Sequence, residues 1–189
     1  MKWMSLLALA AVALSASVAA AGDVKSGLET GTKTGAFIVT KCAGADEDGV
    51  KVGAELCYRC KYGARPQVMV FARKTSGAVA DLAKQLNSAV SDNESKQLTA
   101  FINVLGTDKD AAEKSAKALA ESAKTDKVPV VVPVENENGP ANYGINPDAE
   151  VTVIVANKGV VVASQVFANG KFDKAAVASV LDDVKNTLK

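Results

Sequence analysis

The chain has 189 residues, with 22 basic and 21 acidic side chains and a formal net charge of +1. That balance gives no field that would draw it to nucleic acid. Histidine is absent, which excludes a Ser-His-Asp or Cys-His nucleophile, a histidine general base, a histidine-ligated metal and a Cys-x-x-Cys-His haem attachment.

The N-terminus carries one basic residue, Lys2, then an apolar run from Leu6 to Val18 and the small residues Ala19, Ala20 and Ala21 before Gly22. This pattern predicts a signal peptide over 1–21 cleaved after Ala21, and hence a secreted or periplasmic product. The run is shorter than the ~20 apolar residues of a membrane span, so no stable membrane insertion is expected after cleavage. The only tryptophan, Trp3, and the basic Lys2 lie in this segment, which leaves the remainder formally neutral. Residues 22–35 are mostly small and polar without an apolar period, and are read as a flexible leader. A single domain over 36–189 follows, large enough to bury a core without help from disulfides.

Within that domain, Ala36 to Lys41 is a short β-rich run ending at Cys42, followed by an acidic turn from Gly44 to Gly49. The tetrapeptide Cys57-Tyr58-Arg59-Cys60 comes next, in a segment read as a loop. Gln67 to Ala72 is a strand-length apolar run, and Val79, Leu82, Ala83, Leu86 and Val90 then recur at helical spacing. Leu98 to Leu105 predicts a second buried strand, and Asp110 to Lys124 a helix with Asp110 and Glu113 at its cap. The alternating charges of Asp108 to Lys127 read as a solvated helix face. Val128 to Val134 is a third apolar strand. Glu150 to Ala156 and Val160 to Phe167 form a hairpin through Asn157-Lys158-Gly159, and a last helix starts near Asp173. Alternating strands and helices imply a largely parallel sheet covered on both faces.

The chemistry is concentrated in the cysteines. A Cys-x-x-Cys pair interconverts between dithiol and disulfide, and nearby cations stabilise its thiolate. Cys57 and Cys60 are the candidate redox pair, Arg59 and Lys61 the candidate thiolate stabilisers, and Cys42 a candidate resolving thiol, since an odd cysteine count leaves one thiol free. Two other readings stand beside this one. The pair, or one member bridged to Cys42, is a structural disulfide in an oxidising compartment. Alternatively, the three thiolates with a carboxylate from Asp46, Glu47 or Asp48 complete a tetrahedral zinc set, or two or three of the thiolates hold Cu(I), although the second Cys-x-x-Cys or histidine pair of a strong zinc signature is missing. Tyr58, Lys61, Tyr62 and Arg65 form an aromatic and basic cluster, read as a solvated loop with its rings on the sheet edge. Gly49 and Gly53 read as turn residues rather than a phosphate cradle. The loop from Asn136 to Asn142 precedes Tyr143 and is of the type that often borders a ligand. No cofactor is expected.

The order of elements resembles the thioredoxin fold: α/β, a central mixed β-sheet flanked by helices, with a C-terminal β-hairpin and helix. Val50-Lys51-Val52-Gly53, Val68-Met69-Val70-Phe71, the extra strand Val128 to Val134 and Tyr143-Gly144-Ile145 resemble the peroxiredoxins and periplasmic thioredoxin-like reductases over about residues 50 to 188. The resemblance implies thiol-disulfide exchange with a protein partner. In those families the reactive cysteine follows the first core strand, where this chain has Arg73-Lys74-Thr75-Ser76-Gly77, and a cis-proline faces it, near Glu150-Val151-Thr152 here. The pattern argues against peroxidase chemistry, because the peroxidatic position carries no thiol. Ser76 is expected to be a helix cap. The cysteine pair instead precedes the strand, and is expected at the opposite end of the sheet. A thioredoxin-fold scaffold without catalysis is the competing expectation.

Overall fold

The computed structural model describes residues 24–189, so the expectations for the signal peptide over 1–21 lie outside the described residues. Seven strands form one sheet: β1 (Val39–Ala43), β2 (Glu55–Leu56), β3 (Gln67–Ala72), β4 (Thr99–Val104), β5 (Val130–Pro133), β6 (Ala149–Asn157) and β7 (Val160–Ala168). Their spatial order is β2-β1-β5-β4-β3-β6-β7. Among the described residues four α-helices accompany them, α1 (Tyr58–Tyr62), α2 (Ala78–Asp92), α3 (Lys109–Ala123) and α4 (Lys174–Thr187), with single 3-10 turns at Glu94–Lys96 and Ala141–Tyr143.

Only the pairings β3–β4 and β4–β5 are parallel; the others are antiparallel. The sheet is therefore mixed rather than largely parallel. Strand-helix alternation requires parallel crossovers only for β3-α2-β4 and β4-α3-β5. The β6–β7 hairpin and the entering strand β1 reverse direction at either side. The hairpin turns at Lys158 (φ 52°) and Gly159 (φ 73°), both left-handed, as a two-residue loop of type I′ requires.

Alternation along β3 divides the core. Val68, Val70 and Ala72 face the cluster beneath α2, α3 and α4, whereas Met69 and Phe71 face the other side with Phe101, Val131 and Ile154. That second side is closed by aromatic rings from outside the sheet: Phe37 ahead of β1, Tyr58 and Tyr62 of the short helix α1, and Tyr143. The α2 apolar stripe is the one read from its spacing, with Val79, Leu82, Ala83, Leu86 and Val90 all buried.

Two caps differ from expectation. Asp108, not Asp110, caps α3, its carboxylate accepting from Ala111 N–H at 3.0 Å. At α2 the cap is Gly77 rather than Ser76, with no side-chain bond, because a φ of 60° there suits a residue without a Cβ. Asp173 caps α4 through Ala176 N–H.

Residues 24–35 carry no helix or named strand, yet are fastened across the sheet. Gly31 N–H donates to Val161 C=O, Val161 N–H to Thr32 C=O and Thr34 N–H to Gly159 C=O. Ser26 Oγ lies 2.7 Å from Thr152 Oγ1 and accepts from Asn146 N–H. The segment thus lies against the hairpin, with Lys33 bridged to Val160.

Candidate functional site

The cysteine pair lies in a short helix rather than a loop. Cys57 is the N-cap of α1, with extended backbone, and its Sγ accepts from Cys60 N–H at 3.1 Å. The two cysteines form a disulfide, Cα–Cα 5.2 Å. Cys60 is exposed and Cys57 half-buried, so the Cys60 side of the bridge is the more open to an incoming thiol.

The helix is held by its tyrosines. Tyr58 and Tyr62 are buried, their rings 5.8 and 6.1 Å from Phe101. They belong to the core rather than to a solvated loop. The Tyr58 hydroxyl donates to Asp48 Oδ2 at 2.5 Å, and Lys41 Nζ donates to Asp48 Oδ1 at 2.8 Å and to the carbonyls of Ala45 and Val50. Burial would raise the Asp48 pKa, but hydrogen bonds from Lys41, Tyr58 and the Val50 N–H, with the Lys41 charge, hold it below the ordinary carboxylate range. Burial, then Asp48, push Tyr58 far above the usual phenol range. A buried ammonium, a carboxylate and a phenol therefore lock the acidic turn to the start of α1. This network was not legible in the sequence, where Lys41 ends a β-rich run and Asp48 is one of several acids in a turn.

The other predicted residues are distributed differently. Arg59 is half-buried; its Nε donates to Thr34 Oγ1 at 2.8 Å and its guanidinium abuts Gly159. It ties α1 to the N-terminal segment and the hairpin turn. Lys61 is exposed. Cys42 is not brought to the pair: it is 3% exposed and belongs to the core beneath α3, on the sheet face opposite Tyr58. Burial, reinforced by Glu113, pushes its thiol pKa up to about 11, which keeps it protonated and unreactive. The zinc or Cu(I) set is likewise not assembled, since Cys42 faces away and Asp48 is engaged by Lys41 and Tyr58. Among the described residues no group of three or more His, Cys, Asp or Glu could hold a metal.

The far end of β3 has a different chemistry. Arg73 and Lys74 follow the strand; Lys74 Nζ lies 2.8 Å from Glu150 Oε2, which also accepts from Gly170 N–H. Burial works against ionised Glu150, but the Gly170 N–H and Lys74 hold its pKa below the ordinary carboxylate range. Arg73 donates to the carbonyls of Glu137 and Asn146. An ion pair thus occupies the place where the resemblance implied a thiol and a facing cis-proline; no cis peptide occurs among the described residues. Arg59 reaches the β6–β7 turn, at the end of the sheet where β3 begins, since Gln67 pairs with Ala156. The cysteine pair and the Arg73–Gly77 segment are therefore separated by the length of the strand, about 20 Å.

No family model matches the chain, and no curated protein matches it in sequence. Solved structures do. A protein of Chlorobium tepidum provisionally named thiol:disulfide interchange protein DsbE superposes with TM-score 0.62 at 13% identity, covering 86% of this chain and 99% of that one. The yeast mitochondrial 1-Cys peroxiredoxin gives 0.56 at 11% identity, with 85% and 78% covered. The thioredoxin domain of a Bacteroides vulgatus thiol-disulfide oxidoreductase gives 0.53 at 11% identity, with 86% and 99% covered. At such identities the likeness concerns the fold: this chain has the thioredoxin-like fold, with its cysteine pair ahead of the first parallel strand instead of behind it.

Proposed function

We propose that the protein is an exported thioredoxin-like protein that exchanges disulfides with a protein partner through Cys57 and Cys60. The observation that carries this reading is an exposed bridge at the start of a helix anchored by buried tyrosines, so that the pair is presented on a rigid support. A partner thiolate attacks Cys60 Sγ. The Cys57–Cys60 bond breaks, a mixed disulfide forms at Cys60, and Cys57 leaves as a thiolate that the Cys60 N–H stabilises before it takes up a proton. The partner's second thiolate then attacks its own sulfur of the mixed disulfide, and Cys60 leaves and is protonated. Two electrons pass from the partner to the pair, and the reverse sequence oxidises a partner dithiol. Cys42 has no part in this scheme.

A second reading, a non-catalytic scaffold whose disulfide is a staple, is favoured by the ion pair between Lys74 and Glu150 at the position where related folds react. Thiol counting across a glutathione or dithiothreitol series separates the two. A bridge that opens between about −120 and −270 mV belongs with exchange proteins, and one that stays closed below about −300 mV with structural disulfides. In the exchange reading, Cys57→Ser and Cys60→Ser each abolish reductase turnover; unchanged turnover in both would sink the mechanism.

A further inference from the structure

The residue that precedes the redox pair by two positions, Glu55, lines a groove of about 620 Å³. Its walls include Phe37, Ile38, Pro133, Val134 and Glu135, and they hold two carboxylates and no basic side chain. Ile38 and Val134 are 47% and 51% exposed, whereas most large apolar side chains of the described residues are buried. Their backbones are joined, Val134 N–H donating to Ile38 C=O at 3.1 Å, so the two apolar positions are held at a fixed spacing. Glu135 is also fixed, its Oε2 accepting from Ala141 N–H at 2.7 Å.

The groove borders an open sheet edge. β2 is the outermost strand and has only two residues, so one side of its backbone is free to pair with another chain. An extended polypeptide therefore finds main-chain partners on the outer side of β2, apolar contacts at Ile38 and Val134, and negative charge at Glu55 and Glu135. From Glu55 the chain needs two further residues, about 7 Å of extended backbone, to reach Cys57.

We propose that this groove is the partner-docking surface of the redox pair, and that it takes an extended peptide segment carrying apolar residues beside Lys or Arg. The inference rests on the exchange reading above and names its substrate class. Docking in the groove holds the partner backbone alongside β2, so that a cysteine in the same segment lies within reach of the Cys57–Cys60 bridge. The attraction to Glu55 and Glu135 weakens with salt, because both carboxylates sit at an open surface.

The test is fluorescence anisotropy of the full chain with two labelled peptides of equal length and a serine at the cysteine position. One has leucine, valine and lysine flanks; in the other, glutamate replaces lysine. At low salt the lysine peptide is expected to bind about tenfold more tightly than the glutamate peptide. Glu55→Lys is expected to remove that preference and Val134→Asp to weaken binding of both, with fold retention checked by circular dichroism. Equal binding of the two peptides, or binding indifferent to both substitutions, overturns the groove. Opening of the wild-type bridge by dithiothreitol is followed separately. A bridge that does not open removes the exchange reading, while a bridge that opens with no peptide preference removes only the docking surface.

Discussion

Asp48 receives hydrogen bonds from both Lys41 and Tyr58, and its environment decides how α1 is held. The Lys41 side chain is 2% exposed and that of Asp48 11%, so neither charge is solvated enough to stand alone. Removing one partner from such a pair leaves the other buried and unpaired, which costs about 3–5 kcal/mol, whereas replacing both by apolar groups is often neutral. Asp48→Ala is therefore expected to lower unfolding free energy by about that amount, and Lys41→Met with Asp48→Ala to recover part of it, the Tyr58 hydroxyl still lacking its acceptor, both read by denaturant titration. The same residue sets an acid dependence. Its folded pKa lies below the ordinary carboxyl value of about 4, so the stability it contributes is present above that value and is lost as pH falls through the folded pKa. Glu150 acts in the same direction. The acid slope of the melting temperature should therefore be shallower in Lys41→Met with Asp48→Ala than in the wild type.

At the scale of elements, α1 is too short to be stable by itself, because a nucleus of one or two turns fixes more dihedrals than its hydrogen bonds repay. Its two tyrosines packed against Phe101, Tyr58 stacked and Tyr62 tilted, and its N-cap bond from Cys60 N–H replace length with local and tertiary contacts. The disulfide adds little to that. With a sequence separation of 3 it closes a very short loop, for which the chain-entropy model gives about 2 kcal/mol. Reduction is thus expected to lower unfolding free energy by no more than about 2 kcal/mol and to leave the far-ultraviolet spectrum unchanged, which thermal melts with and without reductant would check. Loss of the fold on reduction would assign the bridge to the staple role. The element boundaries show why α1 escaped sequence reading: five residues offer no helical period, and its apolar positions, Tyr58 and Tyr62, also fit a loop. The longer elements β3, α2 and α4 repeat their pattern often enough to be read directly, and β3 ends at the residues its apolar run marks.

For the whole molecule, the N-terminal segment and the hairpin close the face on which α1 sits. Gly27 shows how tightly: its φ is +80°, and a Cβ there would lie 2.7 Å from Thr152 Cγ2. Gly27→Val is expected to destabilise the fold by about 1–3 kcal/mol through backbone strain and overpacking, which urea denaturation would measure. Arg59 links this segment to α1 through Thr34, and the hairpin turn follows at Gly159. The cation read from the sequence as a thiolate stabiliser instead holds two distant parts of the chain together.

Local pattern and composition determined much of this protein. Apolar runs placed β3, β4 and β5, helical spacing placed α2, the Asn157-Lys158-Gly159 turn placed the hairpin, and the missing histidine removed whole mechanisms. Each of these signals lies within a few residues, where backbone preferences and side-chain periodicity act directly. The order of elements was enough to suggest the thioredoxin-like fold, and the Cys-x-x-Cys pair identified the candidate redox chemistry. Only the tertiary structure decided the rest: Cys42 turned away beneath α3, Arg59 bound to Thr34, Lys41 buried against Asp48, and β1 placed between β2 and β5. Those outcomes depend on contacts between residues far apart in the chain, and strand order and side-chain facing become defined only when the whole sheet is assembled.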